Sequence, residues 1–338
     1  MKDTVIRTFV GADVELVIAI WNRALKRDPI NTGRFVSWLF GDPDYWPGDD
    51  SGFFVAVRDG RPAGFVRAIL RRWPNDRVGI EPRDGWIPVM AVDPERQHSG
   101  VGLALLESAL DYLRKAGRKR VWVCGNTGSA PGYVFPGVDK DAYPGALALL
   151  KRAGFVVDHE PVAMSGPIVD FDVETFHRQA WEGEAPAFAK PASAGEGRPA
   201  EPHPKTGGDI QVASLTPQRV QDFMDFMARA FPGDWNIAAR AKVRAGALHE
   251  VLIASLGGGD ILGYCQWEGE HFGPFGVAAE ARNRKVGAKL FTEAVRRIRA
   301  ADGRTVWFNW ADEDAARFYG RFGLKVTRRF AILRKDIS

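Results

Sequence analysis

At 338 residues, 45% hydrophobic and 26% charged, the chain has the composition of an ordinary soluble protein and enough apolar content for two buried cores. Its net charge of +4 suits anionic small ligands, but no long Lys/Arg run accompanies it, which argues against nucleic acid as a partner. No apolar run approaches the ~18 residues of a membrane span. The start MKDTVIRTF lacks a signal-peptide core, and Cys124 and Cys265 sit in separate apolar runs, so a cytoplasmic protein with two reduced, buried thiols is expected.

In chain order, Val5 to Phe9 reads as a strand, and Asp13 to Leu25 as a helix with Val14, Val17, Ile18, Trp21 and Leu25 on one face. A second helix is predicted over Gly33 to Phe40. Gly52 to Val57 and Ala63 to Leu70 form a hairpin across Asp59-Gly60. An apolar strand, Trp86 to Val92, then runs into the polar turn Gln97-His98-Ser99-Gly100-Val101-Gly102. A helix follows to Ala116, marked by Leu103, Leu106, Leu110 and Leu113. Such a turn leaves backbone N–H groups unpaired at a helix N-terminus, where the macrodipole favours an anion. Glycine lets a phosphate approach the backbone without meeting a Cβ. Arg120 to Cys124 is a further strand, Pro144 to Ala153 a helix, and Gly154-Phe155 opens a last strand.

Glu182 to Gly208 interrupts this pattern. Its 27 residues include five Pro and five Gly but no Ile, Leu or Val, the composition of a mobile linker. The same order of elements then returns: strand Ile210 to Ser214, helix Pro217 to Ala230, hairpin Glu250 to Leu256 with Ile261 to Glu268, and strand His271 to Val277. Helix Val286 to Ala301, strand Val306 to Trp310, helix Asp312 to Phe322 and strand Lys325 to Lys335 complete it. Gln97 matches Arg282, Gly102 matches Gly287 and Val121-Trp122 matches Val306-Trp307, all at an offset of 185. A constant offset across strand, turn, helix and strand marks a tandem repeat. The repeat sets an N-terminal domain at 1–168, a linker at 169–208 that is Pro/Gly/Ala-rich from about 182, and a C-terminal domain at 209–338.

The order strand, [Gln/Arg]-x-x-Gly-x-[Gly/Ala], helix resembles the acetyl-CoA motif of the GNAT superfamily of N-acetyltransferases. The resemblance covers nearly everything but the linker and implies an α/β fold of two tandem GNAT domains, each a mixed sheet flanked by helices. It further implies transfer of an acetyl group from acetyl-CoA to a primary amine of a small molecule or peptide, without a metal. Acetyl-CoA would be held by Val92, Gln97, His98, Ser99, Gly100, Val101 and Gly102 in the first half. In the second half the matching residues are Val277, Arg282, Arg284, Lys285, Gly287 and Ala288. Lys285 stands where the motif has its middle Gly, a substitution that right-handed helical geometry would accommodate. The strands Val89 to Val92 and Phe275 to Val277 would splay from their neighbours to pair with the pantetheine arm.

The family often places a Tyr acid in A-x-x-x-Tyr-x-x-x-Gly-Phe, and the second half resembles this from Ala315 to Leu324, putting Tyr319 on the acid position. Eleven residues before Arg282 stands His271, where several family members carry a base; its neighbours Glu270 and Glu268 are further candidates for taking the proton, directly or through water. The first half has Leu150 and Trp86 at those two places, with Tyr133 and Tyr143 nearby as replacement donors. The first half thus has the cleaner cofactor loop and the second the better catalytic set, an arrangement that resembles the tandem mycothiol synthases. The alternative reading is an acyl-CoA-binding or regulatory module with one or both domains degenerate. The tryptophans Trp38, Trp46, Trp73, Trp86, Trp235, Trp267, Trp307 and Trp310 divide between core and amine pocket. The two domains are expected to pack on each other.

Overall fold

The structure, a computed structural model, describes residues 4–172 and 210–337 apart from positions 76, 126, 127 and 129. The stretch Glu182 to Gly208, expected to be a linker, lies outside the described residues. The chain divides into two compact units: Met1–Pro161 with Arg328–Ser338, and Val162–Thr327.

In the first unit, strand β1 (Thr4–Thr8) leads to helices α1 (Val14–Ala24) and α2 (Thr32–Phe40), then strands β2 (Phe53–Arg58), β3 (Arg61–Ile69) and β4 (Asp84–Val92). Helix α3 (Val101–Lys115), strands β5 (Arg120–Val123) and β6 (Val138–Asp139), helix α4 (Pro144–Arg152) and strand β7 (Val156–His159) follow. β1 to β4 pair antiparallel in sequence order and β5 joins β4 in parallel. The stripe of α3 spaced at three and four residues (Val101, Leu105, Leu106, Ala109, Leu113) is buried on one face of the sheet, together with Leu150 of α4. The other face is covered by α1 and α2, through Val17, Trp21, Phe35 and Leu39.

The second unit repeats the plan. It contains β8 (Val162–Pro167), β9 (Ile210–Ser214), α5 (Val220–Ala230), α6 (Asp234–Arg244), β10 (Val251–Leu256), β11 (Ile261–Glu268) and β12 (His271–Val277). Helix α7 (Val286–Ala300), strand β13 (Thr305–Ala311), helix α8 (Glu313–Gly320) and the start of strand β14 (Lys325–Asp336) complete it. β9 to β12 are antiparallel neighbours, and α7 buries Val286, Leu290, Phe291, Ala294, Val295 and Ile298. α3 and α7 share the offset of 185 at both ends.

Two features depart from the sequence reading. Helix α6 has no counterpart in that reading, because its buried positions include Asn236 and Ala239 and supply no apolar stripe. Its entry, Pro232-Gly233-Asp234, is the one local signal for it. The closing strands are also exchanged relative to the boundaries drawn from the repeat. β5 takes Leu333 to Asp336 of β14 as its antiparallel neighbour, opposite Val123 to Arg120, and β13 takes Val162 to Pro167. After β7, Pro161 has no N–H to continue the ladder, so Val162 begins a separate strand. The buried run Phe330 to Leu333 then completes the first unit's sheet.

Candidate active site

Each unit contains a splayed strand pair. In the first, β4 and β5 pair from Asp84↔Arg120 to Ile87↔Val123, with Cys124 N–H donating to the Ile87 carbonyl at 2.9 Å, and pairing stops there. In the second, His271↔Trp307 is the one paired position recorded between β12 and β13 among the described residues. Val89 to Val92 and Phe275 to Val277 therefore border a gap in the sheet. Asp93 N–H donates to the Ala63 carbonyl and Ala278 N–H to that of Leu262, both at 2.9 Å. Strand alternation then turns the N–H groups of Met90 and Val92, and of Phe275 and Val277, toward the gap.

The two turns after these strands adopt the same backbone. Gln97 (φ −65, ψ 161) matches Arg282 (φ −63, ψ 157). His98 (φ 58) matches Asn283 (φ 62), and Gly100 (φ 89) matches Lys285 (φ 63). Lys285 thus occupies the left-handed region, not the right-handed helical geometry expected for it. The turn survives with a non-glycine residue at a cost of ~1–2 kcal/mol. Among the described residues no side chain caps α3 or α7, so the N–H groups of their first turns, at Val101 and Gly102 and at Val286, Gly287 and Ala288, have no acceptor within the helix. Around the first turn, Gln97 Nε2 donates to the Val92 carbonyl (3.3 Å), Ser99 Oγ to the Arg96 carbonyl (2.6 Å) and Arg58 to the Ser99 carbonyl (2.8 Å). His98, Ser99 and Gly100 are exposed. A Cβ on Gly102 would lie 3.2 Å from Leu149 Cδ2 and 3.5 Å from Val92 Cγ2, so glycine here sets the approach of helix to strand. The second turn is the more cationic, with Arg282, Arg284 and Lys285 where the first has Gln97, Ser99 and Gly100. Both turns have the geometry to hold a pyrophosphate.

Tyr319, on α8, lies within an aromatic shell. Its ring centroid is 4.4 Å from Phe308, 5.1 Å from Phe318, 5.5 Å from Phe291, 5.9 Å from Phe272 and 6.2 Å from Phe275. Burial, reinforced by Cys265 and Asp312, pushes its phenol well above the ordinary value, so the hydroxyl stays protonated. Because Phe272 and Phe308 face Tyr319, alternation turns their neighbours His271 and Trp307 to the opposite face of the sheet. There the two rings meet edge to face at 4.7 Å. Tyr319 and His271 lie on opposite faces, beside the same gap. Burial lowers the pKa of His271, opposed by Glu268 and aided by Lys242, leaving the imidazole neutral at neutral pH. Glu268 is ion-paired with Lys242 at 2.7 Å. Glu270 is fully engaged: it accepts from Arg304 N–H (2.7 Å), Thr305 N–H (3.0 Å) and Thr305 Oγ1 (2.6 Å), which hold its carboxyl below the usual range. It ties down the turn into β13.

In the first unit, Leu150 and Trp86 occupy the corresponding places, both buried. Tyr143 donates to Asp28 (3.0 Å), which is paired with Arg328 (2.6 and 2.8 Å); Arg328 in turn holds the buried Asp139 (2.8 Å). That network commits Tyr143 to structure. The thiols of Cys124 and Cys265 are buried and pushed upward by burial, Cys124 to about 12. Among the described residues, no helix is long and apolar enough to cross a membrane. Sequence reasoning missed two buried polar residues, Arg67 and Gln266, whose positions inside apolar strands carry no local signal.

The profile of the acetyltransferase (GNAT) family matches residues 20–133. A mycothiol acetyltransferase of Acidimicrobium ferrooxidans is 33% identical over 160 residues, which is 47% of this chain and 45% of that enzyme. The chain thus spans about half the length of that relative. Among solved structures, the GCN5-related glucosamine N-acetyltransferase region of a fungal multi-domain GH3 β-N-acetylglucosaminidase aligns at TM-score 0.74 and 18% identity, over 99% of this chain and 38% of that one. A tandem GNAT protein from the clavulanic acid biosynthesis pathway aligns at TM-score 0.59 and 14% identity, over 99% of this chain and 98% of its own. At these identities the two structural likenesses are likenesses of fold.

Proposed function

We propose that this chain, a member of the acetyltransferase (GNAT) family with the tandem GNAT fold, transfers an acetyl group from acetyl-CoA directly to the primary amine of a small molecule or peptide, and that its second unit is the catalytic one. The observation that carries this reading is the pair Tyr319 and His271, on opposite faces of the sheet beside one gap. The thioester occupies that gap with its carbonyl oxygen toward the N–H groups on Phe275 and Val277, where developing negative charge is stabilised. The amine enters from the His271 face. His271 takes a proton from the ammonium, directly or through water, and the amine nitrogen attacks the carbonyl carbon. As the C–N bond forms and the C–S bond breaks, the thiolate receives the Tyr319 proton. The amine nitrogen sheds its second proton to solvent as the C–S bond breaks. CoA-SH and the acetylated amine result, and the proton taken up by His271 is returned to Tyr319 by way of solvent, so each turnover releases one proton overall. Glu270 is assigned to the turn rather than to proton transfer, since its oxygens are already engaged.

The first unit reads differently: buried Leu150 and Trp86 favour an acyl-CoA-binding or regulatory role for it. A thiol-release assay with acetyl-CoA and a panel of primary amines tests the proposal. Amine-dependent release that vanishes with Tyr319→Phe supports it, whereas release that persists in that variant assigns the chemistry elsewhere.

A further inference from the structure

The first unit holds a cation with nothing to bind. Arg67, in the middle of β3, is 1% exposed, and among the described residues its Nε and both terminal nitrogens have no hydrogen-bond partner. A guanidinium in that state is costly, because its five donors have given up water for nothing. Two carboxylates lie within electrostatic reach, yet both are turned to the backbone. Asp42 accepts from the N–H groups of Asp44 (2.8 Å) and Gly132, and Asp44 accepts from those of Arg72 (2.5 Å) and Trp73 (2.9 Å). What covers the guanidinium is aromatic: Trp38 at 4.8 Å and Tyr45 at 6.0 Å, measured to the ring centroids. Trp38 is itself fixed by its Nε1 donating to the Gly132 carbonyl.

The position within the sheet is equally specific. Arg67 pairs with Val89, the first residue of the splayed segment that borders the gap, and shares its face. In the second unit the equivalent strand position, fixed by the pairings Phe53↔Arg67 and Val251↔Gln266, carries Gln266. Gln266 is also buried, with Nε2 unsatisfied, so both units present donors here and only the first presents a charge.

We propose that Arg67 is the anchor of a ligand site in the first unit that takes a small molecule with a carboxylate on an apolar body. The planar carboxylate pairs with the guanidinium fork, and the rings of Trp38 and Tyr45 hold the body. The site does not depend on which unit transfers acetyl. Its existence makes the first unit a ligand-selecting module rather than a degenerate copy.

The test uses the full chain and benzoate as probe, followed by calorimetric titration and by thermal denaturation. Benzamide serves as the neutral isostere and inorganic phosphate as the tetrahedral anion. Benzoate is expected to bind and to raise the melting temperature, with benzamide and phosphate at least tenfold weaker. Arg67→Met should melt higher than the wild type in the absence of ligand, since it removes a buried unpaired charge, while losing the benzoate response. If that variant fails to fold, Arg67→Lys, which keeps the charge but not the fork, should bind benzoate about tenfold more weakly. Equal responses to benzoate and benzamide, no response to benzoate, or an undiminished response in the folded Arg67 variant would overturn the proposal. Preference for phosphate would overturn the carboxylate assignment.

Discussion

The two units carry the same loop and opposite endowments around it. Backbone dihedrals agree within about 30° at Gln97 and Arg282, His98 and Asn283, and Gly100 and Lys285. Yet at matching places the first unit carries Trp86, Leu150 and a buried Arg67, and the second His271, Tyr319 and a buried Gln266. The helix N-terminus and the splayed strand are backbone features, which many side chains can support. Acid, base and ligand charge are side-chain features and drift independently. The two units thus share the backbone of the turn, and the side chains that differ around it are those to which the proposed chemistry is assigned.

The sharpest way to break this contrast is to remove the proposed acid. Tyr319→Phe keeps the ring among its aromatic neighbours, so the melting temperature should hold while kcat falls ~10²–10⁴-fold with KM for acetyl-CoA little changed. In the first unit, Leu150→Ala should do the reverse, costing ~2–5 kcal/mol of stability and leaving turnover per folded molecule intact. Loss of turnover in the Leu150 variant, at a temperature where it remains folded, would mean the contrast has been drawn the wrong way round.

A pH profile separates the two units without mutation. The lowered pKa of His271 places the acidic limb of kcat below the ordinary histidine value of ~6.5, and His271→Ala should remove that limb. The same shift sets a stability trend. Between the folded-state value and ~6.5 the unfolded chain binds the extra proton, so the contribution from His271 is fully present above ~6.5 and declines as pH falls through this window. Denaturant midpoints at pH 5 and 7.5, in the wild type and in His271→Ala, should show a smaller difference in the variant.

Much of this was legible from residue types alone. The offset of 185 located both turns and both long helices, because a strand, a phosphate turn and an amphipathic helix each have a local pattern. Three things were not. Pairing partners are set by the whole sheet, so the apolar run Phe330 to Leu333 fits either half equally well on local grounds. Helix α6 buries too little apolar surface to show a period. Arg67 and Gln266 sit in strands whose alternation gives no sign that a polar side chain points inward, and Lys285 reveals its left-handed backbone only in the structure.

That left-handed position offers the finest test of the comparison. At Gly100 a Cβ would meet nothing within 4 Å, so a side chain fits and the φ of +89 is the whole obstacle. Left-handed geometry costs a non-glycine residue ~1–2 kcal/mol, and replacing glycine returns ~0.4–1 kcal/mol by restricting the unfolded chain. Gly100→Lys and Gly100→Glu should therefore both destabilise the chain by about 1 kcal/mol, and nearly equally. Their charges differ at the mouth of the helix, where the lysine copies what Lys285 presents in the second unit. Titration with CoA should find the lysine variant near the wild type and the glutamate variant weaker by about tenfold, a gap that narrows in high salt. Equal affinities for the two would mean the turn of the first unit does not hold the phosphates, and that its likeness to the second is one of backbone alone.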